Sequence, residues 1–109
     1  TAIMAADLTG TGVAANVLVP GGPANTPILP EVNGFDRGAL IQPEAMVAPI
    51  LWLASEESDG VTGRRFAAVN WDPALPVEEA AEKASAPIAW RGYGTQGVYP
   101  GQKPATLEV

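Results

Sequence analysis

The sequence predicts an α/β fold, because segments with the pattern of helices alternate with segments with the pattern of strands. Residues 13–19 form a continuous run of mostly small and β-branched residues, and residues 65–69 form a second, shorter strand-like run. Between them, residues 43–55 have the composition of an apolar helix. Two strands joined through a helix are typical of a parallel pair, so a parallel sheet is expected.

Composition and charge exclude several classes of function. The chain of 109 residues carries a net charge of −6, and its six Lys and Arg residues include one adjacent pair, Arg64 and Arg65, which is too little for a nucleic-acid footprint. No apolar run approaches the roughly 20 residues that a membrane-spanning helix needs, and no signal segment opens the sequence. The sequence contains no Cys, which is compatible with the cytoplasm, and that is the expected location.

The chain also contains no His. Without Cys and His, a structural zinc site, a Cys nucleophile and a Ser-His-Asp triad are excluded within these 109 residues. The sequence therefore assigns no metal ligand and no catalytic residue.

Residues 1–8 are mostly good helix formers, and Gly10 or Gly12 is placed to end the helix in the left-handed conformation. No helix-start signal precedes Ala2, and the sequence has no initiator Met. The sequence therefore begins as the middle of a helix does, and we expect the chain to be a piece of a longer protein.

The strand at residues 13–19 lacks period-two alternation, which is typical of a strand covered on both faces, as in a parallel sheet. It ends in a Pro-Gly-Gly-Pro turn at residues 20–23, which opens a loop that extends to residue 42. Ligands of open α/β sheets bind beyond the carboxyl ends of the strands, so this turn is a candidate binding site. A loop of this length is either functional or mobile.

The helix at residues 43–55 begins with Pro43 and Glu44, which suit a first helical turn. Its body is apolar on all sides, so it is expected to be buried between a sheet and another layer or subunit. Pro49 lies within it and is expected to kink it, because the hydrogen bond to the carbonyl of Ala45 is lost.

A second helix is expected at residues 76–84, where Pro76 suits the start and Glu79 and Lys83 form an i,i+4 pair. From Ser85 onward the sequence predicts only loop.

These expectations divide the chain into two parts, an α/β portion at residues 1–70 and a loop-rich C-terminal extension at residues 71–109. The extension is unusually aromatic for a loop-rich segment, with Trp71, Trp90, Tyr93 and Tyr99. Aromatic side chains of this kind are expected to dock the extension on the body or on another subunit.

Two blocks of the sequence resemble the short-chain dehydrogenases/reductases. The first resembles the family's G-[IV]-x-V-N-x-x-x-P-G-x-x-x-T segment and is carried by Gly12, Val13, Ala15, Asn16, Pro20, Gly21 and Thr26. The second resembles its P-E-x-x-A…L-[AS]-S-[DE]…I-T-G segment and is carried by Pro43, Glu44, Leu53, Ala54, Ser55, Glu56, Val61, Thr62 and Gly63. The blocks have the family's order and spacing, except that Thr26 comes one residue later after Pro20 and Gly21 than in the family pattern, and together they cover residues 2–70.

The resemblance implies the C-terminal part of a Rossmann-type doubly wound parallel sheet, with residues 12–19 as its sixth strand and residues 65–69 as its seventh. It implies an oxidoreductase that uses NAD or NADP and moves a hydride between the nicotinamide and a small alcohol or ketone. The cofactor-binding residues that it implies are Pro20, Gly21, Gly22, Ala24 and Thr26. The substrate-loop residues that it implies are Ile28, Leu29 and Phe35.

Each of these residues also has a plain structural interpretation. The Pro-Gly-Gly turn allows close approach of a nicotinamide, or is an ordinary tight turn. Pro23 has no N–H, so Ala24 or Asn25 would have to supply a donor to the carboxamide. Thr26 binds the carboxamide or a phosphate, or caps the loop. The apolar residues of the loop line a substrate pocket, or simply hold the loop against the body.

Other parts of the family pattern are absent from this sequence. The glycine-rich phosphate turn, the Tyr-x-x-x-Lys pair and the Ser and Asn of the proton relay all lie upstream of Gly12 in that family. The resemblance therefore implies that the 109 residues of this sequence do not catalyse hydride transfer alone. It also implies that an N-terminal portion or partner chain, or another copy, completes the protein. Strands without neighbours leave open edges and apolar faces, which also favours a partner. The alternative is a non-catalytic structural or dimerisation module that retains half of the fold.

Overall fold

The computed structural model describes residues 1–29 and 36–89. They form a mixed α/β fold, which confirms the predicted class. The helices are α1, Ala2–Asp7, α2, Val47–Leu53, and α3, Val77–Ala84, and the strands are β1, Val17–Val19, β2, Arg64–Ala67, and β3, Ser85–Pro87. Short 3-10 helices occupy Arg37–Ala39, Pro43–Met46, Glu56–Ser58 and Ala68–Asn70.

The sheet is mixed rather than wholly parallel. β1 and β2 pair in parallel, as the strand–helix–strand order predicts, with Leu18 opposite Phe66. β3 pairs with the other edge of β2 in the antiparallel sense, which gives the order β1-β2-β3. The expected parallel arrangement therefore holds for one of the two strand pairs in the described residues.

The prediction of loop from Ser85 onward is wrong for β3. The sequence of this strand, Ser-Ala-Pro, has no β-branched residue and so gives no strand signal. The strand follows α3 directly, and Ser85 Oγ accepts hydrogen bonds from Nε and Nη2 of Arg64 at 3.2 and 3.0 Å. Tertiary contacts with β2 thus make a strand of a segment whose own propensity is low.

β1 is shorter than the predicted strand, because side chains take the place of ladder hydrogen bonds in the residues before it. The Ala15 N–H donates to Thr62 Oγ1 at 3.0 Å, and Asn16 Nδ2 donates to the Val61 carbonyl at 2.9 Å. Asn16 Oδ1 accepts a hydrogen bond from the Arg64 N–H at 3.0 Å. β1 is half-buried along its length, so the expectation of a strand fully covered on both faces is not met within this chain.

The predicted helix at residues 43–55 is divided into two. A 3-10 turn at Pro43–Met46 is followed by α2, so Pro49 is the third residue of α2 and lies in its first turn. A proline in the first turn removes no hydrogen bond that the helix would make. The irregularity expected at Pro49 therefore lies at the junction of the 3-10 turn and α2.

The outer face of α2 is exposed within this chain. Trp52 and Pro49 are buried, whereas Val47, Ile50 and Leu51 are 52%, 54% and 65% exposed. Burial on all sides, which the sequence predicts for this helix, is thus achieved on one side only.

The core lies where α2 and α3 pack against β2. Phe66 of β2 is 1% exposed, and its ring centroid lies 5.9 Å from that of Trp52 in α2. Ala81 of α3 completes this cluster, and Ala80 and Ala84 beside it are fully buried. The predicted helix at residues 76–84 is confirmed as α3. Its alanine face allows the helix to approach β2 closely and determines which side of the helix is buried.

The remaining helix, α1, ends at Asp7. Its C-cap residue is Leu8, whose dihedral angles (φ −88°, ψ 2°) lie outside the left-handed region. Gly10 and Gly12 do adopt left-handed angles, with φ of +82° and +81°, but they form the turn beyond the helix rather than its cap. In residues 1–29 and 36–89, no helix has the length and apolar character that crossing a membrane requires.

Candidate functional site

The turn that follows β1 lies at the carboxyl edge of the sheet. Because β1 and β2 are parallel, their carboxyl ends meet at the same edge. There the Val69 N–H donates to the Pro20 carbonyl at 3.0 Å, which fastens the turn to the segment after β2. This is the edge at which open α/β sheets bind their ligands.

Gly21 has a structural reason to be glycine. Its φ is +97°, a conformation that other residues rarely adopt. A Cβ at this position would lie 2.7 Å from Val69 Cγ1 and 3.3 Å from Ala67 Cβ. Packing of the turn against the end of β2 therefore accounts for Gly21 without any ligand.

The segment after the turn runs alongside Ile41. The Asn25 N–H donates to the Ile41 carbonyl at 2.8 Å, and the Ile41 N–H donates to the Pro23 carbonyl at 3.0 Å, so that Ala24 and Ile41 form a parallel bridge. Of the two N–H groups that could reach a carboxamide, that of Asn25 is thus already used. The N–H of Ala24 is left as the candidate donor.

Thr26 closes a short turn through its backbone, because its carbonyl accepts a hydrogen bond from the Leu29 N–H at 3.2 Å. The hydroxyl of Thr26 takes part in none of the hydrogen bonds found within the described residues. A role for this hydroxyl as a loop cap is therefore not seen within the described residues.

Three polar side chains, Arg37, Asn25 and Gln42, hold this loop in place, and we call them the Arg37 clasp. Arg37 donates through Nη1 to Asn25 Oδ1 at 2.9 Å and through Nη2 to the Leu29 carbonyl at 3.0 Å. Asn25 Nδ2 donates to Gln42 Oε1 at 3.0 Å, and Gln42 Nε2 returns to the Arg37 carbonyl at 3.1 Å. The clasp therefore joins the loop after β1 to the segment that leads into α2.

Removal of the clasp is expected to loosen the loop locally. In Arg37→Ala, amide exchange at Asn25 and Leu29 is expected to accelerate about tenfold, or about 1.4 kcal/mol, near the lower end for hydrogen bonds to a charged group. Hydrogen–deuterium exchange resolved by NMR measures this directly. Lys83→Ala removes the same charge from an exposed position on α3 and should leave the exchange rates of both amides unchanged. Equal acceleration of amide exchange in the two variants would refute the clasp.

A cavity of about 470 Å³ opens at the same edge of the sheet. Its walls come from Pro23 of the turn, from residues 39–42, from Ala45 and Ala48, and from Trp71 with its neighbours after β2. None of the predicted cofactor or substrate residues found among the described residues lines it. The sequence assigns Trp71 to the aromatic C-terminal extension, and the cavity itself arises from segments that are far apart in sequence.

The predicted substrate-loop residues differ in their exposure and contacts. Ile28 is 88% exposed, so its side chain does not hold the loop against the described part of the body. Leu29 is half-buried, and it is its carbonyl, bound to Arg37, that anchors the loop. Phe35 lies outside the described residues, as do Trp90, Tyr93 and Tyr99. Pro20 and Gly22 are half-buried on either side of Gly21.

A second cavity, of about 430 Å³, lies between α2 and α3 and is lined by Trp52, Phe66, Arg64 and three glutamates. The Trp52 indole N–H is buried there without a hydrogen-bond partner in the part of the chain that is described. No group of three or more acidic, His or Cys side chains within residues 1–29 and 36–89 is arranged to hold a metal ion.

Comparison with protein-family models, with curated proteins and with solved structures gives no match for this chain. The chemistry of the site is therefore read from its geometry alone. It offers a backbone donor at Ala24, a hydroxyl at Thr26 and an apolar cavity beside them, which are groups that bind and orient a ligand.

Proposed function

We propose that this chain is a segment of an NAD- or NADP-dependent oxidoreductase of the short-chain dehydrogenase/reductase type. In this proposal it contributes the nicotinamide-side turn and the substrate loop. The observation that carries the proposal is the parallel pairing of β1 with β2, which puts residues 20–26 at the carboxyl edge of the sheet beside a cavity.

The resemblance of the two sequence blocks supports the same proposal. β1 lies within the first block, and β2 follows the second block. The two strands are adjacent and parallel, as the sixth and seventh strands of a Rossmann-type doubly wound sheet would be. The proposal therefore includes that finer fold, with α2 as the helix between the two strands. β3 is an antiparallel addition outside the pattern that the resemblance implies.

Each residue has a defined role in this proposal. Gly21 and Gly22 keep the turn free of side chains where the nicotinamide approaches, and Pro20 ends the strand. The Ala24 N–H and the Thr26 hydroxyl bind the carboxamide. The proton relay and the pyrophosphate site would come from an N-terminal portion or a partner chain, so hydride transfer requires that completion.

Titration of the isotope-labelled protein with nicotinamide mononucleotide tests the proposal. Millimolar ligand is expected to shift the amide resonances of Gly21, Gly22, Ala24 and Thr26, because the nicotinamide half of the cofactor meets these groups. Adenosine diphosphate, which represents the adenosine and pyrophosphate part of the cofactor, should leave them unchanged, since the proposal places the site of that part outside this sequence. Thr26→Val is expected to weaken binding about fivefold, the value of one neutral hydrogen bond.

Thr11→Val is the matched control, because Thr11 lies in the turn after α1 and its hydroxyl donates to the Leu8 carbonyl. The absence of shifts at the turn, or equal shifts with adenosine diphosphate, would contradict the proposal. Turnover of NADH or NADPH by the purified 109 residues alone would contradict the part of the proposal that assigns the proton relay and the pyrophosphate site to an N-terminal portion or a partner chain.

The second candidate function is a non-catalytic dimerisation module, which is favoured by the exposed apolar face of α2. Val47, Ile50 and Leu51 are each more than half exposed, and three such side chains on one short helix are typical of an interaction surface. The same labelled sample distinguishes the two functions. A dimerisation module gives no shift with nicotinamide mononucleotide, and its α2 resonances broaden as the protein concentration rises.

A further inference from the structure

The cavity at the carboxyl edge is assembled from three separate parts of the chain. One wall is formed by residues 39–42, a second by Ala45 and Ala48, and a third by Ala68, Val69 and Trp71. Its volume of about 470 Å³ falls within the range of small-molecule sites, about 300–1,000 Å³. Convergence of three segments distinguishes it from a surface irregularity within one loop.

Each wall is fixed by its own contacts. Ile41 is held on both sides by hydrogen bonds with Asn25 and Pro23, at 2.8 and 3.0 Å. Trp71 is held by its ring contact with Trp52, at a centroid separation of 6.0 Å, and by a hydrogen bond from its N–H to the Ala68 carbonyl at 3.1 Å. The cavity is therefore formed before any ligand arrives, so that binding has little ordering cost.

Most of the side chains that line the cavity are apolar. Gln42 is one of its two polar side chains, and its amide is already engaged with Asn25 and with the Arg37 carbonyl. The other is Glu44, which is exposed at the rim and is the one charged side chain among the described lining residues. An anionic ligand would meet this carboxylate with no described lining cation to offset it, whereas an uncharged ring would lie against Trp71.

We propose that this cavity binds the uncharged, apolar part of a small ligand, about the size of one substituted aromatic ring, and selects against carboxylates. This inference rests on the proposed function, in which it makes the substrate an uncharged apolar alcohol or ketone. It adds to that function a site that the turn and the substrate loop do not supply, with Trp71 as the stacking surface and Glu44 as the residue that rejects anions.

A methyl-NMR titration with acetophenone tests this site in the absence of any nicotinamide compound. Ala45, Ala48 and Ala68 line the cavity on two of its walls, and their methyl groups serve as reporters. Acetophenone is expected to shift them, and 4-acetylbenzoate, which carries one added carboxylate, is expected to bind at least about fivefold more weakly.

Two variants and one control locate the effect. Ala48→Leu fills the mouth of the cavity and is expected to abolish the acetophenone shifts, whereas Ala54→Leu adds the same bulk at an exposed position outside it. Glu44→Gln is expected to bring the affinity for 4-acetylbenzoate to within about twofold of that for acetophenone.

The proposal is overturned if acetophenone leaves the reporters unshifted or if the carboxylate binds as tightly as the neutral ketone. Binding that survives Ala48→Leu as well as Ala54→Leu would overturn it too. Since no cofactor is present, methyl shifts without any response to nicotinamide mononucleotide would retain this site and refute the proposed oxidoreductase. The reverse result would refute the site and retain the oxidoreductase.

Discussion

Phe66→Ala is expected to lower the free energy of unfolding by about 3–5 kcal/mol, the usual cost of deleting a buried aromatic ring. Phe66 is 1% exposed and lies at the centre of the core, where α2 and α3 meet β2. Its ring contacts Trp52 with centroids 5.9 Å apart, and Ala81 has no larger side chain with which to fill the space. Small domains are stable by about 5–15 kcal/mol, so this loss removes a large fraction of the stability and brings a domain at the lower end of that range close to unfolding.

Urea denaturation followed by circular dichroism measures this loss. Phe66→Leu keeps most of the buried volume and is expected to cost less than about 1.5 kcal/mol. Leu51→Ala is the exposed counterpart on α2, with a side chain that is 65% exposed, and is expected to change stability by no more than about 0.5 kcal/mol. If Phe66→Ala and Leu51→Ala have similar effects, the core does not lie between the helices and β2.

The elements that the sequence predicts well are those whose signals are local. α3 has a starting proline, acidic residues in its first turn and an alanine face, and it forms within one residue of the predicted bounds. The parallel pairing of β1 and β2 follows from the helix between them.

The elements that the sequence does not predict depend on distant contacts. β3 is a strand because Arg64 and the edge of β2 lie beside it, and nothing within Ser-Ala-Pro indicates this. β1 is short because the side chains of Asn16 and Thr62 take over hydrogen bonds that a longer strand would make. Both outcomes follow from pairs of residues more than 20 positions apart, which local propensity cannot register.

The candidate site likewise has a part that local sequence signals predict and a part that depends on distant contacts. The abrupt end of β1 in a Pro-Gly-Gly turn predicts where a ligand would meet the sheet. The cavity next to it is formed by Ala48, Val69 and Trp71, which come together only when α2 packs beside the end of β2. The Arg37 clasp likewise joins polar loop residues whose spacing matches no helical or strand period, so the sequence gives no sign of it.

Gly21→Ala is expected to lower the free energy of unfolding by about 2–4 kcal/mol, through left-handed backbone strain and overpacking together. The backbone of Gly21 has φ of +97°, and the new Cβ would lie 2.7 Å from Val69 Cγ1. Gly12→Ala is the matched control, because Gly12 has a similar φ of +81° with no atom within 4 Å of the added Cβ. It is expected to cost about 1–2 kcal/mol from backbone strain alone, and urea denaturation of both variants measures the difference.

The double variant Gly21→Ala with Val69→Ala separates the two reasons for which Gly21 could be needed. Removal of the Val69 methyl groups relieves the close contact, so the double variant is expected to be more stable than the sum of the single losses predicts. If Gly21 serves packing alone, nicotinamide mononucleotide should bind this double variant as it binds the original chain. If the turn must also admit a nicotinamide, the added Cβ obstructs it even in a stable fold, and binding should remain weak. Equal losses for Gly21→Ala and Gly12→Ala would instead show that the contact with Val69 has no energetic weight.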